Sequence, residues 1–300
     1  MHSLRILLAD LIDYAGLFPP AALDLAATLQ AYAAAYCSQD SWRLGRYVLP
    51  APRLEEFEAA LAGLERCSED DAPWRVTVIA GPEPEADLLR IAHFNQRHRD
   101  RIVIDAYEQN IPASIADTMR HISPDLTAYF EVPVTQLERV AEVAQHQARA
   151  KLRTGGLTPE SFPTTSAVLA FLNACATHHV PFKATAGLHH ALPGVRPLTY
   201  ASDSPRGPMH GFLNLFLAAA GVLHGWKPES LTALLEETEP MAFRFDDQGV
   251  AWRGYHLDNG QLAMARAFAL SFGCCSFEEP VRSMQTLEQL WHRHACPSTH

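Results

Sequence analysis

The chain has 300 residues, 48% of them hydrophobic and 19% charged. It can therefore bury a substantial core, which excludes a disordered chain, a collagen-like repeat and a small disulfide scaffold. With 24 basic and 34 acidic residues the formal net charge is −10, so repulsion by phosphates argues against nucleic acid as a partner. Asp10 and Asp13 interrupt the apolar start. We therefore expect no signal peptide, no membrane partner and a cytoplasmic location.

The first 44 residues are predicted to form a helical extension, whose clearest helix covers residues 23–36 and in which Pro19 and Pro20 stop a helix. Beyond it, short runs of β-branched and aromatic residues alternate with segments of helical spacing. This alternation is typical of parallel βα units. The predicted strands are 46–50, 74–80, 101–106, 126–132, 150–154 and 181–186, and the predicted helices are 54–64, 85–98, 114–121, 136–147 and 166–178.

The rhythm changes after the sixth predicted strand. The proline-rich residues 191–208 are interpreted as a long loop on the active face, and residues 212–223 as a buried helix. Two more strands are predicted at 241–245 and 271–277, with residues 246–255 forming a hairpin between them.

Eight strands joined mostly by helices predict an α/β fold, a (β/α)₈ TIM-type barrel with an insertion after strand 6. No Gly-x-Gly-x-x-Gly motif opens a helix, which argues against a dinucleotide-binding fold. We expect one domain over residues 1–300: the extension at 1–44, the barrel at 45–280, and a C-terminal helix with its tail at 281–300.

In such a barrel the functional residues lie at the carboxyl ends of the strands. The charged residues near the ends of the predicted strands include Asp105, Glu131, Lys151, Arg153 and Lys183. The two lysines lie on consecutive strands, and neighbouring parallel strands run about 4.8 Å apart. We therefore expect both amines to approach one cavity.

A lysine in a dry cavity beside a second cation loses its proton more readily, and the neutral amine can attack a carbonyl to form a Schiff base. We expect Lys183 to act as nucleophile or electrostatic anchor, with Lys151 beside it and Glu131 or Asp105 transferring protons. The alternative is that each lysine pairs with a carboxylate or binds an anionic substrate.

The residues around the lysines are candidates for binding a small anionic or carbonyl-containing metabolite. Glycine backbone amides can approach an anion closely, although a simple glycine turn after a strand is equally compatible with the pattern. The candidate substrate-binding residues are Arg153, Thr154, Gly155, Gly156, Thr185 and His189. This interpretation requires no cofactor.

Two other functions remain open at this level. His189, His210 and Glu131, with Asp105 as a further carboxylate, could hold a divalent metal for a hydrolase or isomerase. A non-catalytic barrel that binds a ligand or serves in an assembly is the third possibility. The apolar helix from residue 212 is expected to be core rather than a homo-oligomer interface, which leaves a homo-oligomer open.

The six cysteines show no C-x-x-C spacing. They are therefore expected to be mostly packed as small hydrophobic residues. The adjacent Cys274 and Cys275 could form a redox device, but packing is the favoured interpretation.

Two segments resemble the lysine-bearing strands of class I aldolases of the deoxyribose-phosphate aldolase type. They are Lys-x-x-Thr-Gly-Gly at 151–156 and Lys-Ala-x-Ala-Gly at 183–187, and the resemblance implies Schiff-base lyase chemistry. The chain is also similar to a bacterial family of uncharacterised, barrel-like proteins. The shared motifs are Asp-Tyr-Ala-Gly-Leu-Phe-Pro-Pro at 13–20, Lys-Ala-Thr-Ala-Gly-Leu-His-His at 183–190 and Phe-Gly-x-Cys-Ser-Phe at 272–277. This second similarity implies the barrel fold rather than a reaction.

Overall fold

The computed structural model describes residues 1–63 and 72–295. The end of the helix predicted over 54–64 and the last residues of the tail lie outside these ranges. The strands are β1 Ile12–Tyr14, β2 Leu44–Pro50, β3 Trp74–Ile79, β4 Ile102–Asn110, β5 Thr127–Glu131, β6 Arg149–Arg153, β7 Phe182–Thr185, β8 Gly194–Pro197, β9 Arg206–Met209, β10 Phe243–Phe245, β11 Gly249–Trp252, β12 Tyr255–Asp258 and β13 Ala269–Cys274. The α-helices are α1 His2–Leu8, α2 Leu25–Tyr36, α3 Leu54–Ala60, α4 Pro84–His98, α5 Ile115–Met119, α6 Val140–Gln145, α7 Thr165–Thr177, α8 Phe212–Leu223, α9 Pro228–Leu235, α10 Asn259–Phe268 and α11 Glu278–Ala295.

Within the described residues, eight strands form a closed barrel in the order β1-β13-β7-β6-β5-β4-β3-β2. All neighbouring pairs in it are parallel. Helices join most of these strands on the outside, because parallel neighbours need a crossover connection. The predicted TIM-type barrel is therefore confirmed.

The first barrel strand is β1, so the prediction of residues 1–44 as a purely helical extension is wrong. Strand β1 pairs with β13 on one side and β2 on the other, and it closes the barrel. The segment predicted as the first strand, 46–50, is part of β2, the second. A strand of three residues is too short to show alternation, and this one follows an apolar helical run.

The predicted strand 241–245 does not belong to the barrel. Its counterpart β10 pairs antiparallel with β11, which pairs antiparallel with β12. The predicted hairpin is thus confirmed, but it lies in a separate three-stranded sheet. Antiparallel pairing with β11 satisfies backbone hydrogen-bonding groups of β10, so this strand does not need to pair with a barrel strand.

The insertion follows β7, which is the seventh barrel strand rather than the sixth. It begins with the antiparallel pair of β8 and β9, and then continues into α8. Residues 212–221 of this helix are all buried, and α8 packs against α7, α9 and α10. The expectation that this helix is core is confirmed.

The barrel interior carries charged groups in place of apolar layers. Strands β3 and β4 shift register between Val76 and Thr77, so Asp105 is an extra residue without a partner on β3. Residues three apart on a regular strand point to opposite faces. This bulge instead brings Asp105 and Glu108 to the same face, where they bond to Arg75 and Thr77 of β3.

Among the described residues, no helix has both the length and the apolar character needed to cross a bilayer.

Candidate functional site

A cavity of about 670 Å³ opens at the carboxyl ends of the barrel strands. Its lining includes the last residues of several strands, such as Glu131 of β5, Arg153 of β6 and Thr185 of β7. The segment after β1 forms part of the wall through Phe18, Pro19 and Pro20. The expected functional face is therefore also the face that contains a cavity.

Two of the three lysines in the sequence line this cavity. Lys151 and Lys183 are 3% and 2% exposed, whereas Lys227 is exposed. The pair lies in register on neighbouring strands β6 and β7. Lysine is almost never fully buried without a partner, so their position requires compensating charge.

Glu108 supplies part of that charge and bridges the two ammonium groups. Its Oε2 accepts from Lys151 Nζ at 3.0 Å and its Oε1 from Lys183 Nζ at 2.5 Å. Thr77 Oγ1 also donates to Oε1, at 2.9 Å. Burial alone would raise the pKa of Glu108, but the two ammonium groups outweigh it and hold this pKa well below its usual range.

Asp13 holds Lys183 from the other side. Its Oδ2 accepts from Lys183 Nζ at 2.6 Å and from Ser271 Oγ at 2.7 Å. Its Oδ1 accepts from the backbone amide of Arg46 at 2.7 Å. Both oxygens are thus engaged, and the carboxylate is fixed where the first and last barrel strands meet.

The expectation that a neighbouring cation lowers the pKa of Lys183 is wrong. Burial alone would lower the pKa of Lys183, but the carboxylates of Asp13 and Glu108 raise it above its usual range. The two lysines are separated by a bridging carboxylate, so attraction replaces the expected repulsion. In this state Lys183 carries its proton.

Glu131 lies in the cavity, as expected, and is shared between two cations. It accepts from Lys151 Nζ at 3.0 Å and from Arg153 Nε at 2.7 Å. These cations hold the pKa of Glu131 below its usual range, although burial alone would raise it. The Arg153 side chain is 54% exposed, so its guanidinium is the group of this set with most access to solvent.

Asp105 does not reach the cavity. It therefore cannot transfer protons there, and the expectation that it does is corrected. Its carboxylate pairs with Arg46 Nε at 2.6 Å and with Arg75 at 2.7 Å. The prediction ended this strand at residue 106, but β4 continues to Asn110. The position at the carboxyl end therefore belongs to Glu108.

The other candidate binding residues divide into two groups. Gly156, Thr185 and His189 line the cavity. Thr154 is fully buried and donates to the backbone carbonyls of Thr185 and Ala186, so it fastens the loop after β6 to β7. Gly155 is required for packing, since a Cβ there would lie 2.9 Å from the Cα of Gly187.

The alternative metal set is not assembled. His210 Nε2 is hydrogen-bonded with the carbonyl of Pro163 at 2.8 Å and lies outside the cavity lining. Glu131 is occupied by two cations. Among the described residues no group of three His, Cys, Asp or Glu side chains is arranged to hold a metal ion.

Sequence reasoning missed Glu108 and the role of Asp13. A signal existed for both. Asp13 is an acidic residue inside an apolar run, and Glu108 stands two residues after Ala106 in a β-rich segment. An acidic residue that faces the interior from a strand is expected either to pair with a buried cation or to belong to a functional site.

Comparison of the chain with protein-family models, with curated proteins and with solved structures finds no match in any of the three.

Proposed function

We propose that this protein is an enzyme that forms a Schiff base between Lys151 and the carbonyl group of a small metabolite, as a lyase of the aldolase type or an isomerase. The observation that carries the proposal is the pair of buried ammonium groups bridged by Glu108 beside the cavity. The resemblance of both lysine-bearing segments to class I aldolases agrees with it.

Lys151 is the better nucleophile of the two lysines. Lys183 is held by two carboxylates at 2.6 and 2.5 Å, and its pKa is raised. The carboxylate partners of Lys151 both lie at 3.0 Å, and one of them is shared with Arg153. Lys183 therefore serves as the electrostatic anchor, a fixed positive charge across Glu108 from the reacting amine.

The reaction begins with proton transfer from Lys151 to Glu131, which leaves a neutral amine. The amine attacks the substrate carbonyl, and the carbinolamine loses water to give an iminium ion. This cation accepts the electron pair released when a bond at the neighbouring carbon breaks. A carboxylate takes the proton that leaves, from that carbon in an isomerase or from the β-hydroxyl group in an aldol cleavage, whose second fragment departs as a carbonyl compound. The carboxylates then return protons to the product, and water releases the lysine.

Arg153 is positioned to couple substrate binding to this step. A carboxylate or phosphate on the substrate would compete with Glu131 for the guanidinium, because arginine binds both anions through paired hydrogen bonds. Glu131 would then lose one of its two cations and become a better proton acceptor for Lys151. This coupling favours a small anionic carbonyl compound as substrate.

Reductive trapping tests the proposal. The protein is incubated with a panel of aldehydes, ketones and 2-oxo acids, reduced with borohydride and mapped by peptide mass spectrometry. We expect a reduced adduct on Lys151 and none above background on Lys227, the exposed lysine that reports non-specific reaction. Lys151→Arg keeps the positive charge between Glu108 and Glu131 but cannot form the adduct. Equal labelling of Lys227 and Lys151, or no adduct with any carbonyl compound, would contradict the proposal.

A further inference from the structure

A second cluster of reactive side chains lies in the wall of the same cavity. His189 follows β7, Cys274 ends β13 and Glu279 lies in the first turn of α11. His189 Nδ1 is 2.5 Å from Glu279 Oε2 and 3.7 Å from Cys274 Sγ. The Schiff-base chemistry uses none of these three groups.

The arrangement favours a charged imidazolium beside the sulfur. Burial alone would lower the pKa of His189, but the Cys274 sulfur and the Glu279 carboxylate raise it to about 11. An imidazolium next to a cysteine stabilises the thiolate, which is the nucleophilic form. Other titratable groups that act on this cluster are Tyr14, His190, Tyr200 and Cys275.

The sulfur can be reached through the cavity. Cys274, Cys275 and His189 all belong to its lining, although Cys274 is only 2% exposed overall. Cys275 lies at the same wall but has a different partner, since its Sγ lies 3.8 Å from the hydroxyl of Tyr200. The two adjacent cysteines therefore have similar access and different chemistry.

We propose that Cys274, with His189 and Glu279, is a second nucleophilic site that adds to small aldehydes in the cavity. The sulfur forms a bond to the aldehyde carbon while the carbonyl π bond breaks. The proton from the thiol passes through His189 to the carbonyl oxygen, which gives a thiohemiacetal without any further reactant. This site needs no lysine, so it stands or falls separately from the proposed Schiff base.

Iodoacetamide measures the nucleophilicity directly, because it alkylates a thiolate with release of iodide. The native protein is treated at neutral pH and the initial labelling rates of Cys274 and Cys275 are compared by peptide mass spectrometry. We expect Cys274 to react at least about tenfold faster than Cys275, since the Cys274 sulfur lies 3.7 Å from His189 Nδ1 whereas the Cys275 sulfur contacts the hydroxyl of Tyr200. Equal rates, or faster labelling of Cys275, would overturn the proposal.

Two variants separate the imidazolium from general packing. His189→Asn should slow the labelling of Cys274 by about tenfold or more, as expected for a lost thiolate-stabilising charge. His190→Asn makes the same change at the adjacent residue, which acts on His189 and Glu279 only as a nearby charge, and should change the rate far less. A rate of Cys274 labelling that is the same in both variants would refute the role of His189, provided that circular dichroism shows both to be folded.

Addition of an aldehyde to Cys274 is tested with propanal as the probe. In the Lys151→Arg variant, which cannot form a Schiff base at that position, propanal should slow the alkylation of Cys274 reversibly, and dialysis should restore the rate. Borohydride added with propanal fixes an adduct on a lysine but none on a cysteine, because a thiohemiacetal reverts to the free aldehyde. Protection that dialysis cannot remove, or no protection by propanal, would overturn aldehyde addition at Cys274.

Discussion

Lys183 is held in the barrel interior by charge on two sides. Asp13 and Glu108 contact its Nζ, and Asp13 and Lys183 are almost fully buried. A buried ion pair is weak evidence for stability as a whole, but removal of one partner leaves the other charge uncompensated. The stability of the barrel should therefore be sensitive to this single ammonium group.

Lys183→Met should lower the free energy of unfolding by about 3 to 5 kcal/mol, the range for one partner removed from a buried pair. Urea denaturation checks this. Lys227→Met removes the exposed lysine and should change the free energy by no more than about 0.5 kcal/mol. A similarly small change in both variants would contradict this prediction, because it would mean that other groups compensate the negative charges of Asp13 and Glu108.

Ionisation of the Glu131 carboxyl group should make the free energy of unfolding depend on pH in the acidic range. Its pKa is lowered in the folded protein by Lys151 and Arg153 against the effect of burial, and the unfolded value is about 4.3. Its contribution is thus present above that value and is lost as the pH falls through the folded pKa. The difference in unfolding free energy between the wild type and Glu131→Gln should stay constant above about pH 5 and shrink as the pH falls below about 4.3. A difference that does not change with pH would contradict the ionic account of this residue.

Residue types and alternation predicted Lys151, Arg153 and Glu131 at one face, because each falls near the end of a clear strand. The same reasoning chose Asp105 over Glu108, because the strand was predicted to end at residue 106, whereas pairing with β5 extends β4 to Asn110. The charge state of Lys183 also could not be predicted, because it depends on Asp13, which is 170 residues away along the chain.

The loops after β6 and β7 touch through their glycines. A Cβ on Gly155 would lie 2.5 Å from Cε1 of Phe162 as well as against Gly187, whose φ is +74°. Gly155 is therefore a position where backbone approaches backbone, and the elements carrying Lys151 and Lys183 are locked together at their ends.

Gly155→Ala should destabilise the protein by about 1 to 3 kcal/mol, as expected for overpacking of a filled site. Thermal or urea unfolding measures this. The matched control is Gly254→Ala, where a Cβ would meet nothing within 4 Å, and it should cause little loss. If both variants behave alike, the loops after β6 and β7 are less tightly packed than this account requires.

Element prediction succeeded where the pattern was long and failed where it was short. The alternation of strands and helices between β2 and β7 was predicted in the right order, because each unit has its own apolar period. The three residues of β1 are too few to show one. Strand β10 does alternate, but a local signal cannot distinguish a hairpin partner from a barrel neighbour.

Closure of the whole barrel depends on β1, which pairs with both β13 and β2 and carries Asp13. Without it the sheet would have two open edges and Lys183 would lose a carboxylate. Strand β1 is therefore part of the core of the molecule. If residues 1–44 were only an added helical layer, as the sequence predicted, the barrel would remain closed after their removal.

Deletion of residues 1–15 should abolish cooperative unfolding, because both the closing strand and the partner of Lys183 are lost. Circular dichroism with temperature tests this. A deletion of residues 1–11 alone would remove α1 but keep β1, and it should retain a cooperative transition at a lower temperature. A transition unchanged by the longer deletion would show that β1 is not needed for closure.

The central claim is that the Lys151 amine reacts with a carbonyl group beside a Lys183 that keeps its proton. The most direct test is a crystal structure of the protein after borohydride reduction with the best carbonyl compound from the trapping panel. We predict electron density continuous from Lys151 Nζ into the cavity, with Lys183 still between Asp13 and Glu108. Density joined to Lys183, or an empty cavity in protein that carries an adduct elsewhere, would contradict the claim.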